Sequence, residues 1–405
     1  MDAIVITKSI FSRNVSDIIV DVDSAISCPI TISADGITTS FILYPSNDKV
    51  CIHTSDILEN FNTEYDPLLY TDFKVHSMTL KPVTISVGEP DNKQEFLANT
   101  IFGGYDNLIL ANEHEFVKHN FLTNRPQVSY TYPGVKERLV FAIYNKGPEP
   151  NVTYPTSSKR NIYIRVYFKE SPSIQIEWGT IETDKTLNII DCSLNTIANS
   201  IHNICTDDIV AYDVYGEEQD SDSVYIYPQR FIVRPNSNSL THFLFQNTLG
   251  GFDSITASGT VVNYANGEIK TSKVRRQETE TSNRFTKSYE VNTGYIVSSQ
   301  EENLWHEFLR STNRYIQLNN GSYRRIIIEE YKAEHTKMNA DYFTFKFHYA
   351  EETYGEYFGK DSKLPQYPEK REAFHCAEGP FILADGGTFN VLKYKIKTFN
   401  KNELQ

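Results

Sequence analysis

The sequence predicts a mainly β protein of several domains, with a β-sandwich architecture, a few short helices and an extended C-terminal arm. Tyr and Phe, which suit pleated and half-buried surfaces, number 26 and 24 in 405 residues, against 2 Trp and 3 Met. Short apolar or alternating runs recur along the chain between turn residues, and few segments show helical periodicity. This combination is typical of packed β-sheets.

Residues 1–100 are predicted to form an N-terminal β-sandwich-like domain. The strand candidates are the runs at residues 17–22, 39–44 and 81–87. The run at residues 55–61 predicts one short helix, capped by Ser55 or Asp56.

Residues 101–234 are predicted to form a second β domain with one short helix. Strands are expected at residues 139–144, 162–168, 174–178, 209–215, 224–227 and 230–233. The apolar stripe from Leu187 to Ile204 is read as a strand to about Cys192, then a helix over 194–203. Residues 145–159 are expected to be a loop, and the Pro, Asn and Ser residues at 235–239 a linker.

Residues 235–354 are predicted to form a third domain of strands plus a helix at 299–311. Ser299 is the expected N-cap, with Glu302 completing a capping box, and Trp305 lies on the apolar face. In the strand at 341–349 the odd-numbered aromatics are expected to face a core. The polar run at 270–286 reads as a solvated strand or loop.

Residues 355–405 are predicted to be a C-terminal arm. Lys, Glu and Pro become more frequent there, although apolar clusters remain at 381–383 and 389–392. About 50 residues with so few strands are too short to build a core of their own. The arm is therefore expected to dock elsewhere, for example on a neighbouring subunit.

The net charge of −13 argues against tight binding of DNA or RNA and of anionic membrane surfaces. It is compatible with a channel wall that DNA passes, because weak repulsion prevents sticking. The N-terminus has no basic and apolar signal, and no run reaches about 18 apolar residues, so neither export nor membrane insertion is expected.

No metal, cofactor or enzyme motif is evident. The 5 cysteines are widely spaced without Cys-x-x-Cys, which predicts reduced, buried thiols. His114 and His119 point to different faces of either a helix or a strand. The acidic residues at 207–208 and 217–222 lack the EF-hand pattern and read as solvated tips. Nucleophile-elbow, Walker and dinucleotide-binding motifs are missing, and no glycosidase carboxylate pair is singled out, so the prediction is not an enzyme.

A Gly-Gly-aromatic-Asp sequence occurs twice, at residues 103–106 and 250–253. The two copies are either independent turns that need positive φ at glycine, which is the favoured interpretation, or traces of a domain duplication.

The second copy lies in a longer pattern, residues 230–233 and then Phe243 to Ile255, that resembles virion tail and connector-ring structural proteins of phages and prophages of gut Bacteroidota, crAss-like phages included. The pattern is an aromatic strand, an Asn, a Gly turn, an aromatic and an acidic residue, followed by residues 289–296 and the helix with Trp305. Residues 121–126, followed by 139–141, are similar to an upstream element of those proteins. The resemblance spans about residues 120–355, and more loosely 15–120. The signature residues are Phe245, Asn247, Gly250, Gly251, Phe252, Asp253 and Trp305.

The resemblance implies a structural subunit of a phage tail, connector ring or baseplate, located in the virion and assembled in the host cytoplasm. Its expected partners are copies of itself in a cyclic homo-oligomer and other tail proteins. The arm is expected to take part in those contacts. The alternative, suggested by the tyrosine content, is a carbohydrate-binding or depolymerase component of a phage fibre.

Overall fold

The computed structural model describes most of the chain up to residue 350 and two short strands beyond it. The described residues are 4–5, 11–21, 27–34, 36–61, 73–79, 82–89, 93–98, 100–105, 113–143, 160–181, 186–201, 204–218, 224–235, 240–274, 277–296, 298–334, 342–350, 381–382 and 388–389. The predicted loop at 145–159 and most of the predicted linker at 235–239 lie outside them.

The described structure is mainly β, as predicted. Its strands are β1 (Ile4–Val5), β2 (Ile18–Asp21), β3 (Cys28–Ala34), β4 (Ile37–Leu43), β5 (Lys49–Ile52), β6 (Val75–Thr79), β7 (Val83–Val87), β8 (Gln94–Ala98), β9 (Val128–Thr131), β10 (Arg138–Ile143), β11 (Arg160–Phe168), β12 (Ile174–Ile181), β13 (Thr186–Asp191), β14 (Ile209–Glu218), β15 (Val224–Val233), β16 (Thr241–Gln246), β17 (Phe252–Ala257), β18 (Val261–Val274), β19 (Gln277–Asn292), β20 (Arg314–Gln317), β21 (Tyr323–Glu334), β22 (Tyr342–Tyr349), β23 (Phe381–Ile382) and β24 (Thr388–Phe389). The α-helices are α1 (Thr54–Phe61), α2 (Glu113–His119), α3 (Leu194–Ser200) and α4 (Ser299–Arg310). No helix within the described ranges is both long and apolar enough to cross a membrane.

The N-terminal part is a small sandwich. A five-stranded sheet, in the order β1-β8-β7-β3-β4, and the two-stranded sheet β2-β5 share one apolar core with α1. Period-two alternation explains it, because β3 and β5 bury every second side chain.

The next part is layered around a three-stranded sheet, β10-β13-β6, that is buried on both faces. All six residues of β10 are buried, and the five that follow Arg138 form the unbroken apolar run expected of a strand with two covered faces. Phe141 and Ile143 face the five-stranded sheet β12-β11-β14-β15-β9. Val140 and Ala142 face the opposite way, toward Leu244 of a seven-stranded sheet.

That third sheet has the order β17-β16-β20-β21-β22-β19-β18, and α4 covers its other face. Successive side chains of a strand point to opposite faces, so β16 sends Leu244 toward β10 while Phe243 and Phe245 pack beneath α4. Three aromatics of β22, at 343, 345 and 347, are buried in the same core, which confirms the predicted core face.

Helix boundaries differ from the predictions by small shifts. Ser298, not Ser299, caps α4, and its hydroxyl accepts a hydrogen bond from the Glu301 backbone N–H. The predicted pair Ser299 and Glu302 was therefore wrong by one residue; Ser298 and Glu301 have the same spacing. Helix α1 begins at Thr54, so neither Ser55 nor Asp56 precedes it as a cap.

The structure also decides two strand predictions. The runs at 224–227 and 230–233 are one strand, because β14 pairs with both ends of β15 across register shifts. The polar run at 270–286, predicted as a solvated strand or loop, is strand in its described residues, which lie in β18 and β19 at the sheet edge.

Residues 1–352 form one compact unit and residues 353–405 a second, in which β23 pairs with β24. The finer division at residues 100 and 234 stays a prediction. Strand β6, at residues 75–79, pairs with β13 and thus with the layer that follows residue 100.

Candidate functional site: a buried ionic junction

Most signature residues gather where the segment 121–125 meets the segment 247–254, a region called here the junction. Asn247, Gly250, Gly251 and Asp253 lie within it, and Phe252 packs into the apolar core beside it. The aromatics Phe245 and Trp305 lie elsewhere, in the core beneath α4, where both contact Phe308.

Asn247 closes the turn that leads from β16 into β17. Its Oδ1 accepts hydrogen bonds from the backbone N–H groups of Leu249 and Gly251, each at 3.0 Å. Its Nδ2 donates to the backbone oxygen of Leu122 at 3.0 Å and to Asp253 Oδ2 at 2.8 Å. A short amide side chain can satisfy a turn in this way, and here it also fastens the turn to a segment 125 residues earlier.

Arg125 bridges two buried carboxylates at the centre of the junction. Its Nε lies 3.0 Å from Asp253 Oδ1 and its Nη1 lies 2.6 Å from Glu137 Oε2. The exposed fractions of the side chains are 2%, 0% and 1% for Arg125, Asp253 and Glu137. All three charges are thus removed from water, and each carboxylate depends on the guanidinium.

Neutral hydroxyl groups donate further hydrogen bonds to the two carboxylates. Thr123 Oγ1 donates to Asp253 Oδ1 at 2.6 Å. Thr131 Oγ1 and Ser254 Oγ donate to Glu137 Oε1 at 2.9 and 2.8 Å. Every carboxylate oxygen therefore accepts at least one hydrogen bond, which burial of a charge requires.

The environment favours the charged guanidinium. Burial acts to lower the pKa of Arg125, but the negative charges of Glu137 and Asp253 outweigh it, and the net pKa shift is upward. Nearby, burial raises the pKa of the Cys192 thiol well above its usual value, and the carboxylate of Glu137 adds to the shift. That thiol is accordingly kept neutral, as befits a structural cysteine.

Close backbone approach explains both glycines of the signature turn. A Cβ on Gly251 would lie 2.0 Å from the Leu122 carbonyl oxygen, and one on Gly250 would lie 2.1 Å from the Phe102 carbonyl oxygen. Gly250 also has a φ of +82°, which side chains rarely adopt.

The two Gly-Gly sequences pack against one another, an outcome that neither interpretation of the repeat anticipated. The backbone N–H of Gly104 donates to the Thr248 oxygen at 2.7 Å. A Cβ on Gly103 would lie 2.4 Å from the same oxygen. Thr248 in turn donates its N–H to Glu307 of α4 at 3.0 Å. The junction thus ties the segment 102–104, the segment 121–125 and α4 together.

The polar groups of the junction form hydrogen bonds and ion pairs with one another. Its carboxylate oxygens are all engaged by protein donors, and its charged groups are buried. A general acid or base must reach a substrate proton, which none of these groups can do without breaking the network.

A separate half-open cleft of about 1620 Å³ lies among residues 133–138, 193–196 and 316–321. Its titratable side chains are each in contact with protein groups. His242 Nδ1 lies 2.9 Å from Thr256 Oγ1, and Asp191 Oδ1 accepts from the Ser193 N–H at 2.9 Å. Burial lowers the pKa of His242 to about 4, so this imidazole is neutral near pH 7.

The structure also places most of the histidines and cysteines considered in the sequence analysis. His119 Nδ1 lies 2.7 Å from the Tyr225 backbone oxygen, at the end of α2. Cys28 and Cys192 are buried as predicted, but the prediction was wrong for Cys51 and Cys205, which are exposed. Cys376, and most of the acidic tip at 217–222, lie outside the described residues.

Sequence reasoning gave no role to Arg125 and missed Glu137. Arg125 stood inside the 121–126 element of the resemblance, which was the available signal. Glu137 had none, because nothing local distinguishes a buried carboxylate from the many solvated ones.

No protein-family model matches the chain, and no curated protein matches it. Among solved structures it is similar to a chain of the virion of a native gene transfer agent particle, at 9% identity and a TM-score of 0.21. It is also similar to a chain of the tail of an empty gene transfer agent particle refined with C6 symmetry, at 12% identity and a TM-score of 0.22. Each similarity covers 29% of this chain and 95% of the other. TM-scores this low establish neither a common fold nor a common function, and the attribution to phages of gut Bacteroidota stays a prediction.

Proposed function

We propose that this chain is a structural subunit of a phage virion, in the tail, connector ring or baseplate, and not an enzyme. In this proposal it assembles into a cyclic homo-oligomer with other tail proteins as neighbours. The resemblance indicates this class of protein. The junction supports the proposal, because its signature residues bind other parts of the same chain and offer no group to a substrate.

The β18–β19 hairpin is the observation that supports assembly into an oligomer. In the described structure only its base, Tyr289–Asn292, pairs with β22, whereas Tyr264 to Val274 pair with β19 alone. At about 3.3 Å per residue this free ribbon is roughly 35 Å long. A lone two-stranded ribbon is marginally stable in water, so a partner surface would stabilise it.

Composition indicates that the partner is another copy. Residues 264–288 contain 6 Lys or Arg against 3 Asp or Glu, whereas the whole chain carries −13. The ribbon is basic and the remainder acidic, which favours docking of the ribbon on a sister copy. Ile269, 58% exposed on the ribbon, is a candidate apolar anchor.

The test is the oligomeric state of the purified full-length chain, by sedimentation and electron microscopy. We expect closed rings whose assembly weakens in high salt. Ile269→Ser should weaken association by about tenfold, the effect of losing about 1.4 kcal/mol of apolar burial per contact. Ile42→Ser is the matched control, since Ile42 is equally exposed at 58% but lies on β4, and it should change nothing.

If the chain stays monomeric at high concentration, the proposal of a cyclic homo-oligomer is wrong. Equal effects of the two substitutions would remove the hairpin from the interface. Truncation after Gly355 separately tests the arm, and we expect weaker assembly with unchanged folding. Turnover or specific binding of host glycans would favour the fibre alternative. Among the described residues, however, the most exposed tyrosines, Tyr44 and Tyr295, follow β4 and β19, which belong to different sheets.

A further inference from the structure

Three different metal-ligating side chains meet on the outer face of the small sheet β2-β5. In this sheet Ile18 pairs with Ile52 and Ile19 with Cys51, so Asp17 and His53 come opposite one another just beyond the register. Alternation turns Ile18 and Ile52 into the core and leaves Asp17, Cys51 and His53 outside.

The distances fit a small coordination sphere. His53 Nδ1 lies 3.0 Å from Asp17 Oδ2, and Cys51 Sγ lies 4.0 Å from the same oxygen. One ligand atom from each residue can be chosen so that all lie within 4.8 Å of one another. Around a tetrahedral Zn²⁺ such atoms are about 3.3–3.6 Å apart, so side-chain shifts of about 1 Å would complete the geometry.

We propose that Asp17, Cys51 and His53 form a binding site for a borderline-soft divalent ion of the Zn²⁺ class. A thiolate and an imidazole select such an ion over Mg²⁺ or Ca²⁺, which prefer oxygen alone. Binding releases the thiol proton to solvent, and three protein ligands leave a fourth position for water. This site is independent of the proposed function.

The scaffold beneath the site limits how far its ligands must move. Inward-facing Val50 and Ile52 are each 1% exposed, which anchors β5 on both sides of Cys51. At the far end of the same face, Asp21 pairs with Lys49 at 3.4 Å. Because Lys49 pairs with Asp21, its ammonium group does not compete with a metal ion for the carboxylate of Asp17.

Titration of the full-length, reduced chain with Co²⁺ tests the site, because a cobalt–thiolate bond gives a charge-transfer absorption band. We expect one Co²⁺ per chain, displaced by Zn²⁺. Cys51→Ser should abolish the band, and His53→Ala or Asp17→Asn should weaken binding by at least about tenfold. Cys205→Ser is the matched control, since Cys205 is also exposed but belongs to no group of three ligating side chains within the described residues, and it should bind as the parent does.

Absence of the band in the parent chain would overturn the site, as would a band that persists in Cys51→Ser. Unchanged binding in either the His53 or the Asp17 variant would overturn the three-ligand assignment. Thermal unfolding without metal checks that the variants are folded, and with Zn²⁺ it should show a stabilisation in the parent that Cys51→Ser lacks.

Discussion

Replacing Arg125 by Met tests the junction most directly. Met keeps the apolar volume of the side-chain stem and removes the charge that holds Asp253 and Glu137 together. Both carboxylates would remain buried, at 0% and 1% side-chain exposure, with no cation between them. We therefore expect a large loss of stability that originates at one site.

The magnitude follows from the contact geometry. At an effective dielectric of about 20, each contact near 3 Å contributes roughly 5 kcal/mol of Coulomb attraction, largely offset by the desolvation of the three groups. Breaking a buried pair by removing one partner costs about 3–5 kcal/mol, and two carboxylates lose their partner here. We expect at least the upper part of that range. The double variant Arg125→Met, Asp253→Asn should be less destabilised than the sum of the single variants by about 1–3 kcal/mol.

The two tryptophans allow the effect to be located. Trp178 is buried in the core beside β10 and Trp305 in the core beneath α4, at 3% and 1% exposure. Urea unfolding followed by fluorescence in Trp178→Phe and Trp305→Phe backgrounds reports each core separately. In the parent the two transitions should lie close together. In Arg125→Met they should separate, because the junction links the two layers.

Lys49→Met is the control. Lys49 and its partner Asp21 have side-chain exposures of 60% and 78%, so the pair is screened by water and its loss should cost about 0–1 kcal/mol. If Arg125→Met costs no more than Lys49→Met, the reasoning about buried charge at the junction is refuted.

Two other perturbations have definite expectations. Gly251→Ala should destabilise the chain by about 3 kcal/mol or more in urea unfolding, because its Cβ meets the Leu122 carbonyl oxygen, whereas Gly267→Ala, with nothing within 4 Å, should be nearly neutral. His242 has a pKa of about 4 when folded against an ordinary 6.5, so the unfolded chain binds the proton first as pH falls. The free energy of unfolding should therefore drop by about 3 kcal/mol from pH 6.5 to 4 relative to His242→Gln, and parallel pH profiles of the two would contradict it.

Local pattern was sufficient for most elements. Alternation located β22, an apolar run located β10, and the Ser-x-x-Glu spacing located α4 within one residue. These signals work because burial on one or both faces of an element leaves a period in the sequence. Asn320 and Gly321 form an Asn-Gly pair, which favours tight turns, and Gly321 lies with positive φ in the turn between β20 and β21.

Only part of these sites could be predicted from the sequence. Asn247 and the two glycines belong to one turn, and the resemblance marked them. Arg125 and Glu137 reach the same point from segments more than 100 residues away from Asp253, and no local pattern connects them. The triad of Asp17, Cys51 and His53 was missed for the same reason, since strand pairing joins residues 36 positions apart.

The sequence by itself determined that the chain is mainly β, where its apolar faces lie and which turn requires glycine, because these properties depend on neighbours a few residues apart. Tertiary structure alone decided which charges are buried together, that the two Gly-Gly turns pack back to back and that the β18–β19 ribbon extends beyond its sheet. Such features arise from pairing between distant segments, and the free energy of a buried charge depends on partners that only the folded chain brings within hydrogen-bonding distance.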